Sequence, residues 1–282
     1  MVYDANNLTV SHSLIPDPFP PSWVSDWGED EYGLWIAFIY KGVRQAFRWI
    51  PPGRFMMGSP HTEAEREDNE TQHEVSLTEG YWLGDTVVTQ ALWEVVTGEN
   101  PSHFKGPGRP VERVSWHDAV RFMRRLNAEQ DDLGLRFPTE AEWEHGCRAG
   151  TQTPFSFGET ITTDQVNYNG NYPYAGGKKG EYREETVEVK ALPANSWGLY
   201  QMHGNVWEWC YDWYGDYPTG PVTDPRGPKS GVVRVLRGGG WDYYGRGARS
   251  ARRGHVTPDD RDFDFGFRLA RGPKGDRPAG GE

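Results

Sequence analysis

Two cysteines, Cys147 and Cys210, and eight histidines are the soft nucleophiles, bases and metal ligands that this chain of 282 residues offers. The thiolate is the reactive form of cysteine, and it needs an accessible, electropositive setting. Cys147 instead falls on the apolar face of a capped helical pattern, and Cys210 sits inside the aromatic run GNVWEWCYDWY. Both are expected as buried thiols. His12, His61, His73, His103, His117, His145, His203 and His255 form no close-spaced ligand set, and no G-x-S-x-G elbow marks a hydrolase nucleophile. Local signatures of catalysis are therefore lacking, and the catalytic set is expected to be empty.

Carboxylates and aromatics point to other chemistry. From Val206 to Trp213, Trp207, Trp209, Tyr211 and Trp213 alternate with Val206, Glu208, Cys210 and Asp212, so a strand here carries aromatics on one face and carboxylates on the other. A buried carboxylate needs a partner. The three glycines of RVLRGGGW let the chain turn or approach another backbone closely before Trp241 anchors it. They mark the entry to a displayed loop. That loop, residues 242–264, reads DYYGRGARSARRGHVTPDDRDFD and contains no Lys, Glu, Gln, Met, Trp or Asn, although Glu and Trp are frequent elsewhere. Tyr243, Tyr244 and Phe263 would be aromatic anchors with little rotamer entropy to lose, while Asp242, Asp260, Asp262, Asp264 and His255 supply directional polar contacts. Arg252 and Arg253 would pair with the nearby carboxylates. An ordinary Arg/Asp/Gly-rich loop is the plainer alternative.

The elements that must hold these residues are short. Thr89, Ser115 and Thr139 each open a helical pattern, TQALWEVVTG, SWHDAVRFMRRLNAEQ and TEAEWEHGCRAG, the last with a Thr139/Glu142 capping box. GLWIAFIYKGVRQAFRWI alternates around a central KG and predicts a hairpin, while TVEVKAL, VWEWCYDW, VVRVLR and FGFRLAR read as short strands after the long loop NYNGNYPYAGGKKGEY. Gly 35 and Pro 21, with 14% aromatic residues, imply a loop-rich globular fold. The net charge of −11, from 30 Lys+Arg against 41 Asp+Glu, argues against nucleic acid as a partner. No apolar run is long enough for membrane insertion and no leader pattern opens the chain, so a cytoplasmic location is the expectation. Residues 1–30 read as an N-terminal arm held by Trp23 and Trp27, or else as a partly disordered terminus. Residues 31–271 form the domain and 272–282 a disordered tail.

The ordered series PPGRFMMGS, PVERVSWHDAVRF, LRFPTEAEWEHGCRAGT, NSWGLYQMHGNVWEWCYDWYG, RVLRGGGW, ARSARR and GFRLA resembles the formylglycine-generating enzyme, or sulfatase-modifying-factor, family. The resemblance implies an α+β, C-type-lectin-like fold with antiparallel strands, two or three helices and much irregular loop. It also implies an oxidase using paired cysteines just after the RGGGW stretch, but Trp241 to Arg246 holds none. A formylglycine-generating oxidase acting on a protein cysteine therefore stands second. No cofactor is required, although the family's calcium sites would map to Gln201, Gly204, Val206 and Glu208, and to Asn167 and Glu181. Gln201 departs from the Asp or Asn usual there, and Glu208 would otherwise be a buried structural carboxylate.

Relatives commonly hold several Asn where residues 242–264 stand. An AAC codon altered at its adenines yields Asp, Tyr, Gly, His, Arg, Phe, Val or Thr but never Lys, Glu, Gln, Met or Trp. This pattern resembles that of variable proteins of diversity-generating retroelements. The resemblance implies a frame of Arg249, Ser250, Ala251, Pro258, Asp259, Gly266, Phe267 and Arg268. It implies a diversified, ligand-binding display at Asp242, Tyr243, Tyr244, Gly247, Gly254, His255, Asp260, Asp262, Phe263 and Asp264, facing an unidentified protein or small ligand.

Overall fold

The computed structural model describes residues 19–130 and 133–272. The start of the expected arm and all but the first residue of the expected tail lie outside the described residues. Asp26–Asp30 (β1) pairs antiparallel with Gly33–Tyr40 (β2), which returns through Lys41 and Gly42 into Val43–Ile50 (β3). Both turn residues take positive φ, 46° and 84°, as a two-residue hairpin demands. The sheet thus begins at residue 26, ahead of the expected boundary at 31, because Trp23 and Trp27 draw this part of the arm onto the core.

Gly53–Met57 (β4), His73–Leu77 (β5) and Tyr81–Val87 (β6) precede the helices Gln90–Thr97 (α1), Trp116–Glu129 (α2) and Glu140–Arg148 (α3). Thr89, Ser115 and Thr139 are their N-caps, and Thr139 with Glu142 makes the expected capping box. Trp207–Trp213 (β7), Val222–Thr223 (β8), Arg234–Arg237 (β9), Gly254–Val256 (β10) and Phe265–Arg271 (β11) complete the chain. The order in the main sheet is β1-β2-β3-β6-β11-β7-β9-β10, and β4-β5-β8 form a second sheet. The last strand therefore lies mid-sheet, antiparallel to β6 and parallel to β7. The TVEVKAL stretch is not a strand: Val187 donates to Asn205 Oδ1 and Val189 to the Gly108 carbonyl, so its amides are spent on loops.

Helices α1 and α2 cover one face of the main sheet over Trp82, Trp209, Phe267 and Leu269. Helix α3 covers the other, over Leu83, Cys210, Val235 and Ala270. Every residue of α3 is buried, which goes beyond the single Trp143/Cys147 face that spacing predicts. The reason is its place between the two sheets, and a Cβ on Gly146 would stand 2.7 Å from Leu83 Cδ2. Burying a helix on all sides forces its charged residues to find partners inside. Among the described residues no helix is long and apolar enough to cross a membrane.

Candidate ligand-display site

Buried arginines hold the irregular C-terminal chain. Arg249, fully buried, donates through Nη1 to Glu63 (2.6 Å) and Glu70 (2.8 Å), and through Nη2 to Glu70 (2.7 Å) and the Glu65 carbonyl (3.0 Å). Arg253 forms a fork on Glu140 at 2.7 and 2.9 Å and lies over the Tyr217 ring. Arg237 reaches Glu144 of α3 and the Ser250 carbonyl. Arg252 pairs with Glu67. The acids that Arg252 and Arg253 meet thus come from distant segments, not from the neighbouring Asp residues as expected, since both side chains turn toward the core side of the loop. Bidentate pairing of this kind fixes both distance and orientation.

The same pairing decides Glu208. Its carboxylate receives Arg268 through Nε (2.9 Å) and Nη2 (2.7 Å), and Oε2 also receives the Trp143 indole N–H at 2.8 Å. This buried carboxylate does not fit a calcium ligand, because a guanidinium already supplies the counter-charge. Gln201 Oε1 accepts from Asn205, and the Gly204 carbonyl accepts from the Val206 N–H. At the other mapped site Glu181 pairs with Arg183 at 3.0 Å, while Asn167 Oδ1 is buried and accepts no hydrogen bond from the described residues. One orphaned oxygen is far short of the six to eight oxygen ligands calcium takes. Among the described residues no three His, Cys, Asp or Glu side chains converge on a metal position.

Both cysteines are free and buried. Cys147 lies 3.7 Å from His203, but burial pushes its thiol up to about 12 and holds His203 down to about 4. His203 Nδ1 is 2.7 Å from the Ala248 carbonyl and its Nε2 accepts from the Ser156 N–H. The pair is a neutral packing contact with no thiolate. Burial likewise raises Cys210.

After β9 the chain passes Gly238 and Gly239 at φ 98° and 79°. A Cβ on Gly239 would stand 2.8 Å from the Gly247 carbonyl oxygen, so the close approach read from the three glycines is present. Trp241 then packs among Phe104, Tyr182 and Phe263. Tyr243, Tyr244 and Phe263 are 44%, 43% and 39% exposed, and His255 and Asp260 are exposed as well. Asp242, Gly254 and Asp262 are half-buried. Two positions expected on the display face lie inside instead. Gly247 backs the Tyr243 ring, which a Cβ would meet at 3.0 Å. Asp264 is buried beside Gly240 and Asp242, its carbonyl accepting the Trp207 N–H. Burial first, then the charges of Asp242 and Asp262, raise its carboxyl above the usual carboxylate range. Of the expected frame, Arg249, Ser250, Ala251, Gly266, Phe267 and Arg268 are buried, whereas Pro258 is half-buried and Asp259 exposed.

A second loop, within NYNGNYPYAGG, completes the surface. The Asn169 N–H donates to the Tyr243 carbonyl and the Gly245 N–H to the Tyr172 carbonyl, zipping residues 169–172 to the display loop. The Tyr172 ring, half exposed, stacks on Tyr244 with centroids 4.2 Å apart. The composition of NYNGNYPYAGG, rich in Tyr, Asn and Gly, is that of a binding loop and could have found it. Tyr243 stands edge-on to Trp207 at 5.1 Å, and together with His255, Phe265 and Arg252 these rings line a cleft of about 200 Å³.

The profile of the sulfatase-modifying factor enzyme 1-like domain matches residues 41–273. The formylglycine-generating enzyme of Streptomyces coelicolor is 35% identical over 200 residues, which cover 67% of this chain and 60% of that protein. The enzyme of the same name from Mus musculus is 34% identical over 228 residues, 74% and 59% of the two chains. This chain spans about three fifths of the length of the curated relatives it matches. Among solved structures, Treponema denticola variable protein 1 superposes with a TM-score of 0.72 at 30% identity, covering 85% of this chain and 99% of that one. PvdO from Pseudomonas aeruginosa shares the fold at a TM-score of 0.67 and 24% identity, covering 88% and 98%. The expected α+β, C-type-lectin-like architecture is therefore the one observed, and the chain belongs to the sulfatase-modifying factor enzyme 1-like domain family.

Proposed function

We propose that this chain is a non-enzymatic ligand-binding protein, the variable protein of a diversity-generating retroelement, presenting a diversified surface on a rigid scaffold. One observation carries the reading: the residues whose identities fit adenine-altered codons and those that stay exposed coincide at Tyr243, Tyr244, His255, Asp260 and Phe263, while Arg249 and Arg253 between them face inward onto carboxylates. Variation at the former leaves the fold alone. The likeness to Treponema denticola variable protein 1 over nearly all of that chain supports it. A partner protein or small ligand would meet aromatic anchors within a polar rim.

An oxidase acting on a protein cysteine is the second reading, favoured by the names of the relatives. Against it stand the cysteine-free stretch after Trp241 and the two buried, high-pKa thiols. Sequencing the DNA beside the gene tests the first reading. A near-copy of the codons for residues 242–264, differing at adenines and accompanied by a reverse transcriptase, is the expected result; a copy differing at other bases, or aldehyde formation on a sulfatase-type cysteine peptide with copper present, would overturn it.

A further inference from the structure

Beside the diversified loop lies a wider cleft, about 490 Å³, whose walls include Glu65, Tyr172, Gly177, Lys179, Tyr244 and Arg246. Its two sides are locked together. The Gly245 N–H donates to the Tyr172 carbonyl, and the Tyr174 hydroxyl donates to the Ala64 carbonyl at 2.8 Å, tying together the segments that line it. A side chain at Gly245 is excluded, since its Cβ would meet the Tyr174 nitrogen at 2.7 Å. The cleft is built, not a gap between loose loops.

Its charge runs against that of the molecule. In a chain of net charge −11, Lys179 and Arg246 are exposed, and among the described residues neither forms an ion pair with a carboxylate. Arg246 lies 5.7 Å from the centre of the Tyr244 ring, a cation held over an aromatic face. Glu65, also in the lining, is already engaged by the Ala175 N–H at 2.6 Å and caps that turn. Elsewhere on the same display segment Asp242, Asp259, Asp260 and Asp262 are at least partly exposed. An extended polyanion would meet those acids at once, so the anion this cleft suits is a local one.

We infer that the cleft is a subsite for an acidic peptide segment of the partner, with one constant wall, Tyr172 and Lys179, and one wall from the diversified segment, Tyr244 and Arg246: a Glu or Asp carboxylate between Lys179 and Arg246, with a neighbouring aromatic side chain on the Tyr172–Tyr244 stack. This deepens the display reading and rests on it. Tyr172 and Lys179 lie outside residues 242–264, so part of the recognition surface stays fixed while Tyr243, His255 and Phe263 change. The constant part orients the partner, and the changing part selects it. Like other exposed charge contacts, this one weakens as salt rises.

The test is an amide NMR titration of the full chain with the peptide acetyl-Glu-Phe-Glu-amide, its acetyl-Gln-Phe-Gln-amide counterpart, and inorganic phosphate. The acidic peptide should shift the amides of Tyr172, Gly176, Gly177, Tyr244 and Arg246 in a saturable way. Each of Lys179→Glu and Arg246→Glu should weaken binding about fivefold or more, the equivalent of ~1 kcal/mol for an exposed charge pair, while Lys179→Arg preserves it. Unchanged spectra away from the cleft would show the variants folded. Equal binding of the Gln peptide, shifts centred elsewhere, or phosphate binding as tightly as the acidic peptide would each overturn the inference. Failure of the display reading looks different: a ligand of the intact protein whose affinity ignores Tyr243→Ala and Phe263→Ala.

Discussion

Replacing Arg249 by Met tests whether buried ion pairs, and not local propensity, hold the display loop. The guanidinium sits at 0% exposure between Glu63 and Glu70, themselves 2% and 0% exposed, and closes four hydrogen bonds. Methionine matches much of the volume but leaves two carboxylates and the Glu65 carbonyl without their donor. Burial already raises Glu63 even with Arg249 in place, so its loss strands a charge in a dry site. Breaking such a pair costs about 3 to 5 kcal/mol. At ~2 to 4 °C per kcal/mol for a domain of this size, the Tm falls by roughly 10 °C. Urea unfolding of both proteins measures the difference, and pH supplies an internal control. The deficit should shrink toward pH 5 as the stranded acids take up protons, and adding Glu70→Gln to Arg249→Met should cost less than the two changes summed. A loss under about 1 kcal/mol, or one that stays constant with pH, would refute the argument.

Other expectations follow from the same geometry. Tyr243→Ala and Phe263→Ala should each cost about 1 kcal/mol or less, as surface changes do, whereas Trp241→Ala, at a ring 8% exposed among Phe104, Tyr182 and Phe263, should cost about 3 to 5 kcal/mol in thermal melts; similar losses at all three would make the display residues core. Burial and the nearby Glu140 raise Asp212 from 3.8 to about 8, so the folded state binds its proton more tightly than the unfolded chain and this contribution to stability is lost as pH rises through 8. His145 and His203, held down to about 4 by burial, oppose that trend only below their ordinary value of 6.5. Unfolding free energy should therefore decline between pH 6.5 and 8, and Asp212→Asn should lessen the decline; an unaltered slope would count against a protonated Asp212. Chelator should leave the Tm unchanged if Arg268 is the counter-charge to Glu208, and a drop restored by added calcium would overturn that assignment.

Much of this was legible from residues alone, for a physical reason: caps, turns and strand alternation are local. Thr139 and Glu142 announce the start of α3 because a capping box needs only four consecutive residues, and the Lys41-Gly42 turn specifies its hairpin by backbone conformation. The alternation of Val206 to Trp213 required a partner for Glu208, and the restricted alphabet of residues 242–264 set that segment apart from the rest of the chain. Pairing across the chain is another matter. That Glu208 is met by Arg268, sixty residues on, instead of by a cation follows from β11 lying beside β7 in mid-sheet. That Asp264 and Gly247 face inward, and that Tyr172 and Lys179 stand beside Tyr244 and Arg246, depends on which loops the sheet brings together. Side chains at one composition can stand on either side of an irregular loop, since no period assigns them a face. Only the tertiary structure, through the arginines that anchor that loop to Glu63, Glu70 and Glu140, decides which side is out.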